Sequence, residues 1–416
     1  MKDLLILLTL ASVAAGCASA PETEEIAVNT SDASDQYDVA AIVWPAYHPA
    51  PRWKELGIFK HGNGEWQNVY EAKTKFDGHR EPLTPLWGYE SEANPISVAR
   101  KIDAALAAGI NVFVYDWYWY GGRPFLEDAL NNGFLKAPNN ERMKFFLMWA
   151  NHDVNKLWDN KVGGDAKWEK IWSAAVSYDE FTEKLVPRFI EYFKKPNYYK
   201  IDNKPVFSLY LPNDFVKGVG GMEKAKQALD FFRAEAKKAG FAGVHIQTMV
   251  TPVWAWRKPI AVPGQEKSTF PEMFKYLGID SATVYNWPSL SKIEKGKQYK
   301  TWGEESLAMF DKMRPLYGVA YVPNVTIGWD NNSRFPKEQI TTVIENSNPT
   351  DYEHFLRETK KWLDKNPQDG MPKLLIINSW NEWTEGTQLE PDDKNGYDFL
   401  NATARVFGGS GQAIEK

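Results

Sequence analysis

The sequence predicts a single-domain (β/α)8 TIM barrel with a long insertion between its first strand and first helix. Three observations carry the prediction. Short apolar runs rich in β-branched and aromatic residues alternate with amphipathic stretches along most of the chain, as in a parallel sheet covered on both faces. Nearly every run ends in a tryptophan, tyrosine, asparagine or carboxylate, and the C-terminal rim of the strands is where such barrels place chemistry. The competing doubly wound sheet would need a glycine-rich phosphate turn after an early strand, and neither GxGxxG nor GxxxxGK[ST] occurs.

In chain order, the first strand is Asp38–Trp44, leading into Pro45, Tyr47 and His48. An irregular stretch rich in glycine, proline and aromatics follows, through Trp53, Trp66, His79 and Trp87, and is expected to wall a cleft. Pro95 opens the first helix, Ile96–Ala108, and Gly109 closes it. The second strand, Asn111–Tyr115, leads into Asp116, Trp117, Tyr118, Trp119 and Tyr120, and the third, Lys144–Trp149, leads into Asn151, His152 and Asp153. An irregular passage over Trp158–Trp172 precedes an amphipathic helix, Tyr178–Phe193. The fourth strand, Pro205–Tyr210, stops at Pro212, and Gly221–Lys238 is its helix, with Gly240 at the C-terminal stop. The fifth, Val244–Val250, leads to Trp254 and Trp256, with a short helix near Pro271–Leu277. The sixth, Ser281–Tyr285, leads to Asn286 and Trp287, with a helix over Gly303–Tyr317. The seventh, Val319–Thr326, leads into Gly328, Trp329, Asp330 and Asn331, with a helix near Asp351–Leu363. The eighth is Leu374–Ile377, and Gly396–Arg405 is the final helix.

Composition narrows the class. With 416 residues and 43% hydrophobic content, the chain can bury a large core as one α/β barrel. A formal net charge of -5 provides no basic field for a nucleic-acid backbone. The 18 tryptophans exceed what a core of this size requires, and flat amphipathic rings suit the apolar faces of sugars. The six histidines show no HxH or HExxH spacing, so no zinc site is expected. Asp330–Asn331–Asn332 and Asp392–Asp393–Lys394–Asn395–Gly396 invite a calcium reading, but the second puts Pro391 where a calcium-binding loop needs its first ligand, so a loop rich in Asx turns is the better account. No GxSxG elbow supports serine hydrolysis. Neither metal nor organic cofactor is expected.

The only cysteine, Cys17, excludes an intramolecular disulfide. It follows an apolar segment, Leu4–Gly16, that is too short to span a membrane and resembles a secretory signal. Small residues directly before a cysteine resemble a bacterial lipoprotein processing site. The expected organisation is therefore residues 1–17 as a signal peptide, with Cys17 lipidated, 18–36 as an acidic flexible tether, and 37–416 as the catalytic domain. The expected product is an exported outer-membrane lipoprotein, periplasmic or at the cell surface, monomeric and touching the membrane only through its anchor.

The chemistry is concentrated after the eighth strand, in Asn378, Trp380, Asn381, Glu382, Trp383, Thr384 and Glu385. Burial among indoles disfavours a charged carboxylate, so this setting makes an acid that keeps its proton near neutrality. Residues three apart on a helical turn face one side, with Cβ atoms about 5–6 Å apart, compatible with the roughly 5–5.5 Å carboxyl separation of retaining glycosidases. Glu382 and Glu385 are the catalytic candidates. Trp44, Tyr47, His48, Asp116, Trp117, Tyr118, Asn151, Tyr210, Trp254, Asn286, Trp329, Asp330 and Trp383 are candidates for binding substrate at the rim.

Glu65–Trp66–Gln67–Asn68–Val69, Gly78–His79–Arg80–Glu81–Pro82, Leu147–Met148–Trp149–Ala150–Asn151, Gly328–Trp329–Asp330–Asn331, Trp380–Asn381–Glu382–Trp383–Thr384–Glu385–Gly386 and the run from Pro196 to Val206 together resemble the glycoside hydrolase family 99-like proteins, also called the WbsX group. The resemblance extends over nearly all of Tyr37–Phe407. It implies a (β/α)8 barrel and a retaining, endo-acting hydrolysis of α-linked glycan, with α-mannan as the type of substrate. Glu385 would be the general acid/base, and Glu382 the base acting on the substrate's own 2-hydroxyl through a 1,2-anhydro intermediate. Thr384 stands where family 99 has histidine. Two other readings stay open from the sequence: a glycosyltransferase acting on polysaccharide, and a non-catalytic glycan-binding protein.

Overall fold

The computed structural model describes residues 36–79, 81–250, 258–408 and 414. Cys17, the signal segment, the tether and Trp254 lie outside them. From Tyr37 onward the chain forms one compact unit. Among the described residues, no helix is long and apolar enough to cross a membrane.

The expected barrel is present. Its strands are β1 (Tyr37–Val43), β2 (Val112–Tyr120), β3 (Lys144–Trp149), β4 (Lys204–Leu209), β5 (His245–Met249), β6 (Ser281–Thr283), β7 (Ala320–Tyr321 and Asn324–Thr326) and β8 (Lys373–Asn378). All neighbours in this barrel pair in parallel, and β8 returns to β1, with Leu375 opposite Val39 and Ile377 opposite Ala41. The two pieces of β7 close the barrel. Tyr321 pairs with Ala282 on β6, whereas Val325 pairs with Ile377 on β8. The break falls at Pro323, which has no N–H to donate to a ladder; its carbonyl instead accepts from Ile376 N at 3.0 Å, handing the strand across.

Every residue of β2 is buried. This strand is longer than the sequence indicates: Asp116–Tyr120 continue it and end in a hairpin, with Tyr118 opposite Phe125 and Tyr120 opposite Arg123. Alternation along a strand therefore sends Asp116 and Tyr118 to one face and Trp117 to the other. The long insertion after β1 also departs from its expectation of no regular structure, since it contains short helices at Trp53–Leu56 and Trp66–Glu71. The stretch after β2 forms a single π turn, Ala129–Gly133, and a 3-10 turn, Phe134–Lys136, in place of a regular helix.

The outer helices follow their caps. Asn94 accepts from Ile96 N ahead of Pro95 in the first, Pro95–Ala107, and Thr269 with Glu272 makes a capping box for Phe270–Leu277. The expected helix over Gly303–Tyr317 is two helices, Tyr299–Leu307 and Phe310–Tyr317. Gly303 permits the first to pack on Pro349–Lys365: a Cβ there would lie 2.2 Å from the Phe355 ring. Gly303→Ala is expected to destabilise the fold by about 1–3 kcal/mol through overpacking, read as a lower denaturant midpoint at unchanged slope.

Candidate active site

The two candidate carboxylates sit on a short loop folded back on itself after β8. Ser379 N donates to Thr387 O at 2.7 Å, Leu389 N to Ser379 O at 3.1 Å and Glu390 N to Trp380 O at 3.0 Å, so both ends are pinned together. Trp380 N reaches Ile42 O on β1 at 2.7 Å, which fixes the loop to the barrel. Within it, Trp383–Glu385 is one 3-10 turn with Glu382 as its N-cap and Gly386 closing it at φ 65°. Side chains three apart eclipse on such a turn, so Glu382 and Glu385 face the same way. A second network braces the far end. The buried Lys101 ammonium binds Glu92 and, at 2.6 Å, Glu390, while Trp383 Nε1 donates to Glu390 at 2.9 Å and Asn381 Nδ2 to Glu92 at 3.0 Å.

Both glutamates are gripped by a residue that the sequence reading did not identify, Arg334, which is only 2% exposed. Its Nη1 donates to Glu385 Oε1 at 2.7 Å, its Nη2 to Glu382 Oε1 at 3.1 Å, and its Nε to Glu65 Oε1 at 2.9 Å. Glu65 Oε2 accepts from Trp44 Nε1 at 2.5 Å. Tyr285, at the end of β6, donates to Glu382 Oε2 at 2.7 Å and stands 3.1 Å from Asp116 Oδ2. One cation thus faces three carboxyl groups, an excess of negative charge that a buried site relieves by keeping a proton. Burial and the neighbouring Glu382 push Glu385 up to about 8, and its Oε2 has no hydrogen-bond partner. Burial also pushes Glu382 upward, opposed by the Arg334 charge and the Tyr285 hydroxyl.

Arg334 is held by a loop with little regular structure, folded around two lysine ammoniums. Lys75 Nζ donates to the carbonyls of Asn332 (2.6 Å), Phe335 (3.0 Å), Pro336 (3.0 Å) and Gln339 (2.8 Å). Lys167 Nζ donates to Arg334 O and, at 2.6 Å, to Asp159 O. Burial lowers the Lys167 ammonium to about 8. Backbone carbonyls without ladder partners are thereby satisfied inside the protein, which fixes the arginine that a free loop would leave mobile.

These groups open on a cavity of about 420 Å³. Trp44, Asp116, Tyr118, Tyr210, Asn286, Trp329, Glu382 and Glu385 line it, as expected from the sequence, together with Tyr285, His152, Trp158 and the 61% exposed Trp168. The other candidates among the described residues do not. Tyr47 is buried with its ring 4.2 Å from Trp66, within electrostatic reach of Glu65, Arg334 and Glu382. His48 is fully buried, and burial lowers it to about 4. Trp117 points to the helical layer, donating to Glu127 at 2.6 Å and meeting Phe189 edge-on. Asn151 ties the ends of β3 and β4 together by accepting from Leu211 N and donating to Leu211 O. Trp383 packs on Trp66. Asp330 bonds His79 and Asn332.

His79, Glu81 and Asp330 bring three possible metal-ligating groups together. The hydrogen bonds give them another arrangement. Lys75 N donates to His79 Nδ1 at 3.1 Å, which leaves the imidazole proton on Nε2, directed at Asp330 Oδ2 at 2.9 Å. Nε2 then has no lone pair for a metal.

Arg334 gives no periodic sequence signal, because loop positions carry no periodicity. Charge balance offers a signal instead: buried carboxylates at one rim need a cation.

A family model described as "Glycosyltransferase WbsX" matches residues 39–403. The "Uncharacterized protein WxcX" of Xanthomonas campestris pv. campestris strain B100 is 24% identical over 386 residues, covering 89% of this chain and 49% of that protein. The chain thus spans about half the length of the curated relatives it matches. Among solved structures, a "Glycoside hydrolase-like protein" superposes with a TM-score of 0.57 at 14% identity, covering 90% of this chain and 94% of that one. The GH99 endo-α-mannosidase of Bacteroides thetaiotaomicron superposes with a TM-score of 0.51 at 13% identity, covering 89% and 95%. At these identities the likeness is one of fold: a glycoside-hydrolase-like barrel.

Proposed function

The chain belongs to the WbsX family, and from that premise we propose that it is a retaining glycoside hydrolase that cleaves α-linked glycan or polysaccharide internally, with an α-mannan-like chain as substrate. The observation that carries the reading is the pair Glu382 and Glu385 on neighbouring nitrogens of one buried guanidinium, facing a cavity walled by aromatic rings. An inverting enzyme seats a water between carboxyls roughly 6.5–9.5 Å apart. Here Arg334 occupies the Oε1 side of both groups, at 3.1 Å from Glu382 and 2.7 Å from Glu385.

In the proposed reaction, Glu382 takes the proton of the sugar's 2-hydroxyl as that oxygen attacks the anomeric carbon. Glu385 gives its proton to the departing glycosidic oxygen, and a 1,2-anhydro sugar results. Water then attacks the anomeric carbon, losing a proton to Glu385, while Glu382 returns its proton to the 2-oxygen. Attack from within the substrate removes the entropic cost of a separate nucleophile. Arg334 and Tyr285 favour the charged form of Glu382, as a base requires, while Glu385 keeps the proton an acid requires.

The family's description favours a second reading, transfer from a nucleotide sugar. Charge argues against it. Arg334, the one arginine or lysine among the described residues lining the cavity, is already bound to Glu65, Glu382 and Glu385, so no free cation there is placed to hold a diphosphate. Incubation of the purified protein with α-mannans and other α-linked glycans, with and without nucleotide sugars, tests both. Release of oligosaccharides without a donor supports hydrolysis; release or extension only with a donor overturns it. Turnover is expected to fall as pH rises through about 8, because Glu385 then loses the proton the leaving group needs. A pH profile of kcat/KM checks this.

A further inference from the structure

We propose that Asp116 works as a neutral carboxylic acid, donating its proton to the Tyr285 hydroxyl and presenting its free carbonyl oxygen to a sugar hydroxyl, so that the site contains a third carboxyl group used for recognition and orientation.

The Tyr285 hydroxyl has one proton and two carboxyl oxygens within reach, Glu382 Oε2 at 2.7 Å and Asp116 Oδ2 at 3.1 Å. It can donate to only one of them. If both carboxyls were ionised, the other would face the phenol's lone pairs, an unpaired charge in a buried site. Two observations decide which carboxyl holds the proton. Glu382 is the nearer and also receives Arg334 Nη2 at 3.1 Å. Among the groups acting most strongly on Asp116, which are Glu382, Tyr285, Glu385 and Tyr118, none is a cation, and the two phenol hydroxyls only partly offset burial. Burial and the charge of Glu382 push the Asp116 carboxyl well above the usual range. The proton order is therefore Asp116 to Tyr285 to Glu382, with each donor satisfied and Glu382 left as the anion.

Asp116 Oδ1 then remains as a carbonyl acceptor. It is buried, lacks a hydrogen-bond partner and belongs to a residue lining the cavity. A sugar hydroxyl that donates to it would meet an uncharged acceptor, which spares the site another negative charge beside the base. Fixing the direction of the Tyr285 proton also keeps that hydroxyl aimed at Glu382, the positioning part of the role.

The inference rests on the hydrolase reading for its kinetic arm but not for its spectroscopic one. In the full-length protein at neutral pH, infrared difference spectra of wild type against Asp116→Asn are expected to show one protonated-carboxyl band lost in the variant. Absence of that difference overturns the proposal whether or not any glycan is cleaved. On a cleaved glycan, Asp116→Asn, which keeps both a donor and an acceptor, is expected to keep a kcat/KM roughly tenfold or more above that of Asp116→Ala. The acid limb of the Asp116→Asn pH profile is expected to coincide with that of wild type, because one neutral group has replaced another. A limb displaced to lower pH would mean that an anion beside Glu382 had been removed, and would overturn the proposal. So would a loss in Asp116→Asn as large as that in Asp116→Ala. If no glycan is cleaved by any form, the hydrolase reading fails and the infrared result alone decides.

Discussion

Glu382→Gln and Glu385→Gln are each expected to lower turnover of a polymeric α-linked glycan by about 10²–10⁴-fold, the range that positioned acids and bases supply. They separate on a substrate whose leaving group departs without a proton, such as an α-glycosyl fluoride. Glu385→Gln then recovers most of the wild-type rate of bond cleavage, because the proton it would have given is no longer needed. Glu382→Gln does not, since the 2-hydroxyl still has to lose its proton during attack. The measurement is kcat/KM for both variants on both substrates. If the two variants recover equally on the fluoride, the roles assigned to them are wrong. Both substitutions replace a carboxyl bound to Arg334 with an amide of the same shape, so thermal denaturation beside the kinetics separates lost chemistry from lost packing.

Arg334→Ala is expected to cost more in stability than any other single substitution at the site, about 3–5 kcal/mol, because it leaves carboxylates buried without their cation. The pH dependence is the test. Without the guanidinium, the pKa values of Glu382 and Glu385, already raised by burial in the folded wild type, rise further. The folded variant then binds more protons than the unfolded chain, so its stability falls with rising pH relative to wild type. The deficit should therefore be smallest in acid, where both carboxyls hold protons with or without the cation, and grow as pH rises, for Glu385 above about 8, a higher range than a surface ion pair would show. Arg334→Lys keeps one charge but not three fixed donors, and is expected to retain part of the stability while losing activity. A deficit independent of pH would show that the three carboxylates do not depend on this cation.

The barrel was legible because its signals are local. Each strand announces itself as a short apolar run, and the bounds of β3 and most of β1, β4 and β8 agree with those runs to within a residue. β2 was read too short because Asp116 looks like a strand end. In the structure its backbone continues into the hairpin with Arg123–Phe125, a partner that no pattern within the strand reveals. β7 was read as one strand, and its division follows from Pro323 meeting neighbours on both sides of the barrel seam. At the rim, Trp44, Asp116, Tyr118, Tyr210, Asn286 and Trp329 reach the cavity as expected. Tyr47, His48, Trp117 and Asn151 are at the same ends but turn into the core, the helical layer or a neighbouring backbone. The direction of a side chain beyond a strand depends on loop torsions that composition does not encode.

The sequence by itself determined the strand and helix alternation, the family and the loop with Glu382 and Glu385, because these rest on hydrophobic period and contiguous motif. Tertiary structure alone decided how those carboxylates are charged. Glu65, Tyr285, Arg334 and Asp116 come from four separate segments, and the chain must close into a barrel before their charges meet. Protonation state is a property of the assembled field: burial raises Asp116, Glu382 and Glu385, one guanidinium opposes it for the two glutamates, and a single phenol proton lies between Glu382 and Asp116.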